Sequence, residues 1–226
     1  MKSLNLTGIQ NILDVVSAFR KAQHFQDLFV LSELDYKRDG FFVEFGATNG
    51  ESISNTWILE KIFGWKGILA EPALIWHQDL YKNRNCIIDT RCVWSESNSI
   101  LKFNQTQSPE LSKIDIVSND DWAKDLREIN SSKYEVKTVS LNDLLKEHDA
   151  PREIDYISVD TEGSEFQILQ AFDFEYFKVK IWTIENNLKN DDWNVSRLMY
   201  SKGYKRVYRE LSSYDDWYIL EEEHKN

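Results

Sequence analysis

Cysteine is almost missing from this chain: Cys86 and Cys92 are the only two in 226 residues. They sit six apart in one strand-like run, and an extended segment of that length spans roughly 20 Å, beyond the reach of a disulfide. There is no C-x-x-C pair, and the four histidines form no cluster. Neither a zinc site nor a disulfide framework is indicated, and two buried, reduced thiols suit a cytoplasmic compartment. No apolar run approaches transmembrane length, and the N-terminus lacks the hydrophobic segment of a signal peptide. A soluble, cytoplasmic chain with no membrane span is therefore expected. Basic residues are short as well: 27 Lys and Arg against 38 Asp and Glu give a net charge of −11, with a pI near 4.9. Such a surface is repelled by a phosphate backbone, so no nucleic-acid partner is expected. The one basic patch, Ser201 to Glu210, fits a solvated edge strand.

What is present is enough for a packed core. Apolar residues make up 42% and aromatics 13%, and with no internal repeat or clear boundary residues 1–226 read as a single α/β domain. Residues 1–35 carry helical periodicity and read as a helical cap. After them Phe41 to Gly46 reads as a buried strand, Gly46 to Gly50 as a turn, and about 51–63 as a helix opening directly behind it, with Ile53, Trp57, Ile58 and Ile62 at helical spacing. Gly67 to Pro72 reads as a second strand, about 73–82 as a helix, and Cys86 to Val93 as a third strand. The alternation predicts a parallel sheet with right-handed crossovers. The polar stretch 104–133 reads as an insertion or lid, with turn signals at Ser108-Pro109. Tyr134 to Val139 is strand-like, and Ser140 to Asp143 resembles a capping box opening a helix over about 141–148. Further strands are predicted at Ile154 to Val159 and Val179 to Ile184, with a helix over about 192–202. The runs Tyr204 to Leu211 and Asp215 to Leu220 lie close enough to form a terminal hairpin, which makes one strand antiparallel.

Polar groups gather at the C-terminal ends of the predicted parallel strands, where open α/β sheets bind ligands. They are Gly46 to Gly50, Glu71, Asp89 to Arg91, Asp160 with Glu162, and Glu185 with Asn187. Each acid alone could be a surface carboxylate or a helix cap, but the coincidence of strand ends points to a site. Glu71 lies 21 residues beyond Gly50, where a carboxylate in a nucleotide-binding unit accepts both ribose hydroxyls. The turn is not G-x-G-x-x-G, so Ala47 to Asn49 do not supply the close approach that a pyrophosphate needs. A nucleoside with a small charged tail fits better, and S-adenosylmethionine is such a ligand.

VEFGATNG, AEP, IDYISVDTEGSEFQIL and TIENN, in that order, resemble the FkbM-type family of S-adenosylmethionine-dependent methyltransferases over about residues 40–220. The resemblance implies a Rossmann-like class I methyltransferase fold: a seven-stranded, mostly parallel sheet with a C-terminal antiparallel hairpin and helices on both faces. It implies a cofactor loop of Glu44, Gly46, Ala47, Asn49 and Gly50, with Glu71 and Pro72 at the ribose, Asp89 to Cys92 beside the adenine, and Asp160 at the methionine end. Family enzymes mostly methylate hydroxyls, so the expected acceptor is a sugar, glycan or small natural product. The family commonly carries Lys two residues before the motif's first Asp; here Ser158 stands there.

Asp160, Glu162 and Glu185 are candidate catalytic bases, with His77 a weaker option. Alternatively Asp160, Glu185 and Asn187 could hold Mg²⁺ and acidify the hydroxyl. Trp193, Tyr214 and Trp217 could stack on a sugar face, or serve the core. Two competing readings stand beside methyl transfer: a nicotinamide-dependent oxidoreductase, disfavoured by the missing glycine pattern, and a non-catalytic glycan-binding module. Oligomeric state has no signature in the sequence.

Overall fold

The computed structural model describes residues 19–117, 125, 127, 131–186 and 192–221, without the side chains of residues 192 and 193. Among the described residues the larger of two sheets has seven strands in the order β10-β11-β9-β8-β1-β2-β3. These are β1 (Phe41–Phe45), β2 (Lys66–Ala70), β3 (Ile87–Asp89), β8 (Glu153–Val159), β9 (Lys178–Glu185), β10 (Tyr204–Val207) and β11 (Asp215–Leu220). Strand β1 is central and pairs in parallel with β2 and β8, while β11 runs antiparallel to both β9 and β10. Its near-continuous apolar sequence follows from burial on both faces.

Successive side chains of β1 alternate between two cores. Val43 and Phe45 join Ile157, Trp182 and residues of α4 (Leu141–Glu147), α5 (Glu165–Gln170) and α6 (Asp192–Ser201). Phe42 joins Leu69, Tyr156, Ile181 and residues of α1 (Gln26–Glu33), α2 (Trp57–Lys61) and α3 (His77–Asn83). Helices therefore cover both faces. Among the described residues no helix is long and apolar enough to cross a membrane. Ser140 caps α4 as its sequence suggests, its hydroxyl accepting the Asp143 N–H at 3.1 Å.

Two local expectations need correction. The helix after the glycine turn begins at Trp57, not at 51, because Glu44 reaches back and grips Ser54, Asn55 and Thr56. Those bonds hold 51–56 out of helical geometry, and Ile53 takes φ +56° and lies exposed. The run Cys86 to Val93 is two strands. Arg91 folds its backbone N–H and guanidinium onto Asp89, ending β3, and β4 (Cys92–Trp94) departs into a second sheet. That sheet has the order β4-β7-β5-β6, with β5 (Ile100–Gln105), β6 (Lys113–Ile114) and β7 (Ser132–Ser140). Of the predicted N-terminal cap, α1 lies within the described residues and residues 1–18 lie outside them.

Candidate active site

The parallel register brings four strand ends to one edge: Phe45 pairs with Ala70 and with Val159, and Val159 with Ile184. The residues that follow, Gly46, Glu71, Asp160 and Glu185, therefore stand side by side. Strand order reverses between β1 and β8, which is where open α/β sheets form their ligand crevice.

The inner part of that crevice is a narrow slot between Gly46, Thr48, Glu71, Cys92, Ile114 and Asp160 among others. Gly46 has φ +79°, and a Cβ there would stand 2.0 Å from the Asp160 carbonyl oxygen, so the chain passes only as glycine. Glu71 is buried. Its Oε2 accepts the Thr48 N–H and its Oε1 the Ala73 N–H, each at 2.8 Å, so one carboxylate ties the β1 turn to the end of β2 and keeps lone pairs for a ligand. Burial raises its pKa to about 7, and the nearby Glu44 charge adds to the rise. Val93, Phe103 and Ile114 give the crevice an apolar end, and Pro72 lines it too.

The outer part is wider; it shares Glu110, Asp160 and Glu162 with the inner one and adds Glu185, Tyr214 and Asp215. At the seam, one carboxylate oxygen from each of Asp160, Glu162 and Glu185 lies within 4.8 Å of the others. The Glu162 N–H donates to Glu185 Oε2 at 3.2 Å. Burial pushes Asp160 and Glu185 well above the usual carboxylate range; the Glu162 charge adds to the rise at Asp160, and the Asp160 charge at Glu185. Burial also raises Glu162, to about 7, against the lowering pull of Arg127, whose Nη2 donates to Glu162 at 2.5 Å. Glu165 shapes this loop by accepting the N–H groups of Thr161 and Gly163.

The remaining predicted residues divide. Cys92 lines the inner crevice, but Asp89 does not border it. Burial raises the Asp89 pKa, yet hydrogen bonds from Arg91 and His148 outweigh this and lower it. Ala47 is buried in the core. Asn49 folds its side chain onto the N–H groups of Glu51 and Ser52. Gly50, at φ +78°, makes room for Leu80 and Arg84. Glu44 holds the loop behind the site and does not line either part of the crevice. These four shape the turn from behind. His77 hydrogen-bonds the Glu71 carbonyl at 2.9 Å, which makes it a brace for the strand end. Trp217 stacks on Phe29 at 4.6 Å in the core, whereas Tyr214 lines the outer chamber. Asn187 and the Trp193 side chain lie outside the described residues.

Sequence reading missed the lid's contribution. Leu111 and Lys113 to Ile114 close over the crevice, and Arg127 Nε donates to the Leu111 carbonyl at 2.9 Å. Asp215, Asn55 and Gln26 were missed because they come from segments with no local motif.

The residues present fit S-adenosylmethionine: an acid for ribose hydroxyls, a side-chain-free turn at Gly46, and an apolar slot for a base. For the expected Mg²⁺ set, Asp160 and Glu185 come together with Glu162, one carboxylate oxygen from each within 4.8 Å of the others, while Glu162 already faces a guanidinium and Asn187 lies outside the described residues.

No curated protein matches the sequence. A precorrin-6y C5,15-methyltransferase from Geobacter metallireducens GS-15 matches at 11% identity and a TM-score of 0.43, covering 85% of each chain. A SAM-dependent methyltransferase from Aquifex aeolicus matches at 10% identity and a TM-score of 0.40, over 92% of this chain and 98% of that one. At such scores neither likeness speaks to substrate or mechanism. The methyltransferase FkbM domain, by contrast, matches residues 44–218, from the carboxylate behind the glycine turn to the last strand of the sheet. The chain belongs to the FkbM methyltransferase family.

Proposed function

We propose that this chain is an S-adenosylmethionine-dependent O-methyltransferase that acts on a hydroxyl of a sugar, glycan or small natural product. The observation that carries the reading is the seam itself: two adjoining chambers meet at Asp160 and Glu162, with the Glu185 carboxylate beside them on the outer side. One chamber suits a nucleoside and the other an acceptor, with proton-accepting groups between them.

The cofactor, when bound, supplies an electrophilic methyl group on its sulfonium. Glu71 would accept the ribose hydroxyls, the Gly46–Thr48 backbone would hold the amino-acid end, and Val93, Phe103 and Ile114 would flank the base. Glu185, which lines the outer chamber, would in its ionised form take the acceptor's proton as the hydroxyl oxygen bonds to the methyl carbon and the carbon–sulfur bond breaks, releasing S-adenosylhomocysteine; burial and the Asp160 charge raise its proton affinity. Much of the rate comes from holding the acceptor in line with the methyl group in a site that the lid dries.

Calorimetric titration with S-adenosylmethionine and with NAD tests this. The methyl donor should bind, and Glu71→Ala should weaken it by about tenfold or more. Heat with NAD and none with S-adenosylmethionine would overturn the reading in favour of an oxidoreductase. Cofactor binding without transfer to any hydroxylated acceptor would leave a binding module.

A further inference from the structure

We propose that Glu165 is a positioning residue for the cofactor: its side chain fixes the loop from Asp160 to Ser164 as a preformed wall of the inner crevice. The inference rests on the reading of that crevice as the S-adenosylmethionine site. Asp160, Thr161, Glu162 and Ser164 all line it, so the shape of this loop is the shape of one side of the slot.

Backbone preference does not hold the loop in that shape. Glu162 takes φ +57° and Gly163 φ +109°, and a residue with a side chain stays in the left-handed region only where its surroundings outweigh the cost. Here one oxygen supplies much of what is needed. Glu165 Oε1 accepts the Thr161 N–H at 2.9 Å, the Thr161 hydroxyl at 2.8 Å and the Gly163 N–H at 3.1 Å. The two N–H groups belong to the residues on either side of Glu162, so the clamp straddles the strained position. Held in this way, Glu162 presents its own N–H to Glu185 Oε2 at 3.2 Å and its carboxylate to Arg127. Ser164 closes the loop by donating its hydroxyl to Thr161 Oγ1 at 2.7 Å. Glu165 is buried and is not among the residues that line either chamber. It opens α5, whose Ile168 and Leu169 are anchored in the core. A carboxylate rooted in a core helix therefore sets the wall before any ligand arrives, and a wall already in place spares the ligand the cost of ordering it.

The test titrates the full chain calorimetrically with S-adenosylhomocysteine and follows amide hydrogen exchange of the segment 160–165 in the same preparations. Glu165→Ala should weaken binding by about tenfold and speed exchange at Thr161 and Gly163 by about tenfold or more. Glu165→Gln keeps the accepting oxygen and should bind within about twofold of the parent chain. Ile168→Val thins the core beneath the same helix, so it should lower Tm while leaving affinity and exchange as they were; it separates positioning from stability. If Glu165→Ala does not fold, Glu165→Asp, which withdraws the oxygen by one methylene, carries the same expectation. Unchanged affinity in Glu165→Ala overturns the proposal. So does a loss in Glu165→Gln as large as in Glu165→Ala, or an equal loss in Ile168→Val at the same drop in Tm. Failure of the parent chain itself to bind S-adenosylhomocysteine would instead overturn the cofactor reading, and the proposal with it.

Discussion

Glu44→Gln separates two accounts of the glycine turn. In the sequence Glu44 looks like a cofactor ligand; in the fold its carboxylate accepts Ser54 Oγ at 2.9 Å, the Asn55 N–H at 2.7 Å and Thr56 Oγ1 at 2.5 Å. Arg84 lies 3.7 Å away with its side chain fully buried, and is also held by Glu60 at 2.6 Å. Hydrogen bonds to a charged acceptor are worth about 1.5–3 kcal/mol each. Three of them are not additive, and Glu60 keeps Arg84 paired, so a loss of about 3–5 kcal/mol is expected, the usual cost of breaking a buried ionic cluster. For a domain of this length that lowers Tm by roughly 10–15 °C. Because residues 51–56 would slacken with the turn, S-adenosylmethionine affinity should fall in the same variant, on the order of tenfold. Thermal melts and calorimetry on one preparation check both. If Tm moves by less than about 2 °C while cofactor binding disappears, Glu44 contacts the ligand directly and the reasoning here is wrong.

Gly46→Ala places a methyl group against the Asp160 carbonyl at 2.0 Å; it should cost about 3 kcal/mol or more, read by chemical denaturation. Arg127→Ala removes the cation that lowers Glu162, so the acid limb of the pH–rate profile should move to higher pH, with cofactor affinity weakened as the lid loses its tie to Leu111. Stability should fall as pH rises from about 5 to 8. Glu71 and Glu162 are raised from 4.5 to about 7 by burial, and Asp27 and Asp215 from 3.8 to about 6. Over those intervals the folded state binds more protons than the unfolded one, and each proton lost on raising the pH favours unfolding. Glu71→Gln should flatten that slope, and an unchanged slope would show that Glu71 ionises normally. Burial pushes both Cys86 and Cys92 up to about 12, so neither thiol should react with a disulfide reagent at pH 8 until denaturant is added.

Much of the candidate site's position is legible in the sequence, and for a simple reason. Parallel strands align their C-terminal ends, so a motif that follows each strand must meet the others at one edge. Glu71, Asp160, Glu162 and Glu185 are brought together in this way, with Gly46 between them. Sequence periodicity failed where a distant polar group outweighed local preference. Ile53, Trp57 and Ile58 keep helical spacing, yet the Glu44 carboxylate ten residues earlier holds their first turn open. Asp89 sits at a strand end like the other acids, but Arg91 and His148 claim it first, so the same position carries a structural ion pair.

The chain by itself determined the alternation of strands and helices and the family, because these follow from residues near one another in sequence. Tertiary structure decided which acids reach the crevice, that Glu44 works from behind it, and that residues 108–111 and β11 line its outer chamber. Those outcomes depend on burial and on partners such as Glu44 with Asn55, Arg127 with Glu162, and Gln26 with Asp215. The last pair lies 189 residues apart, a separation at which no local pattern can announce a contact.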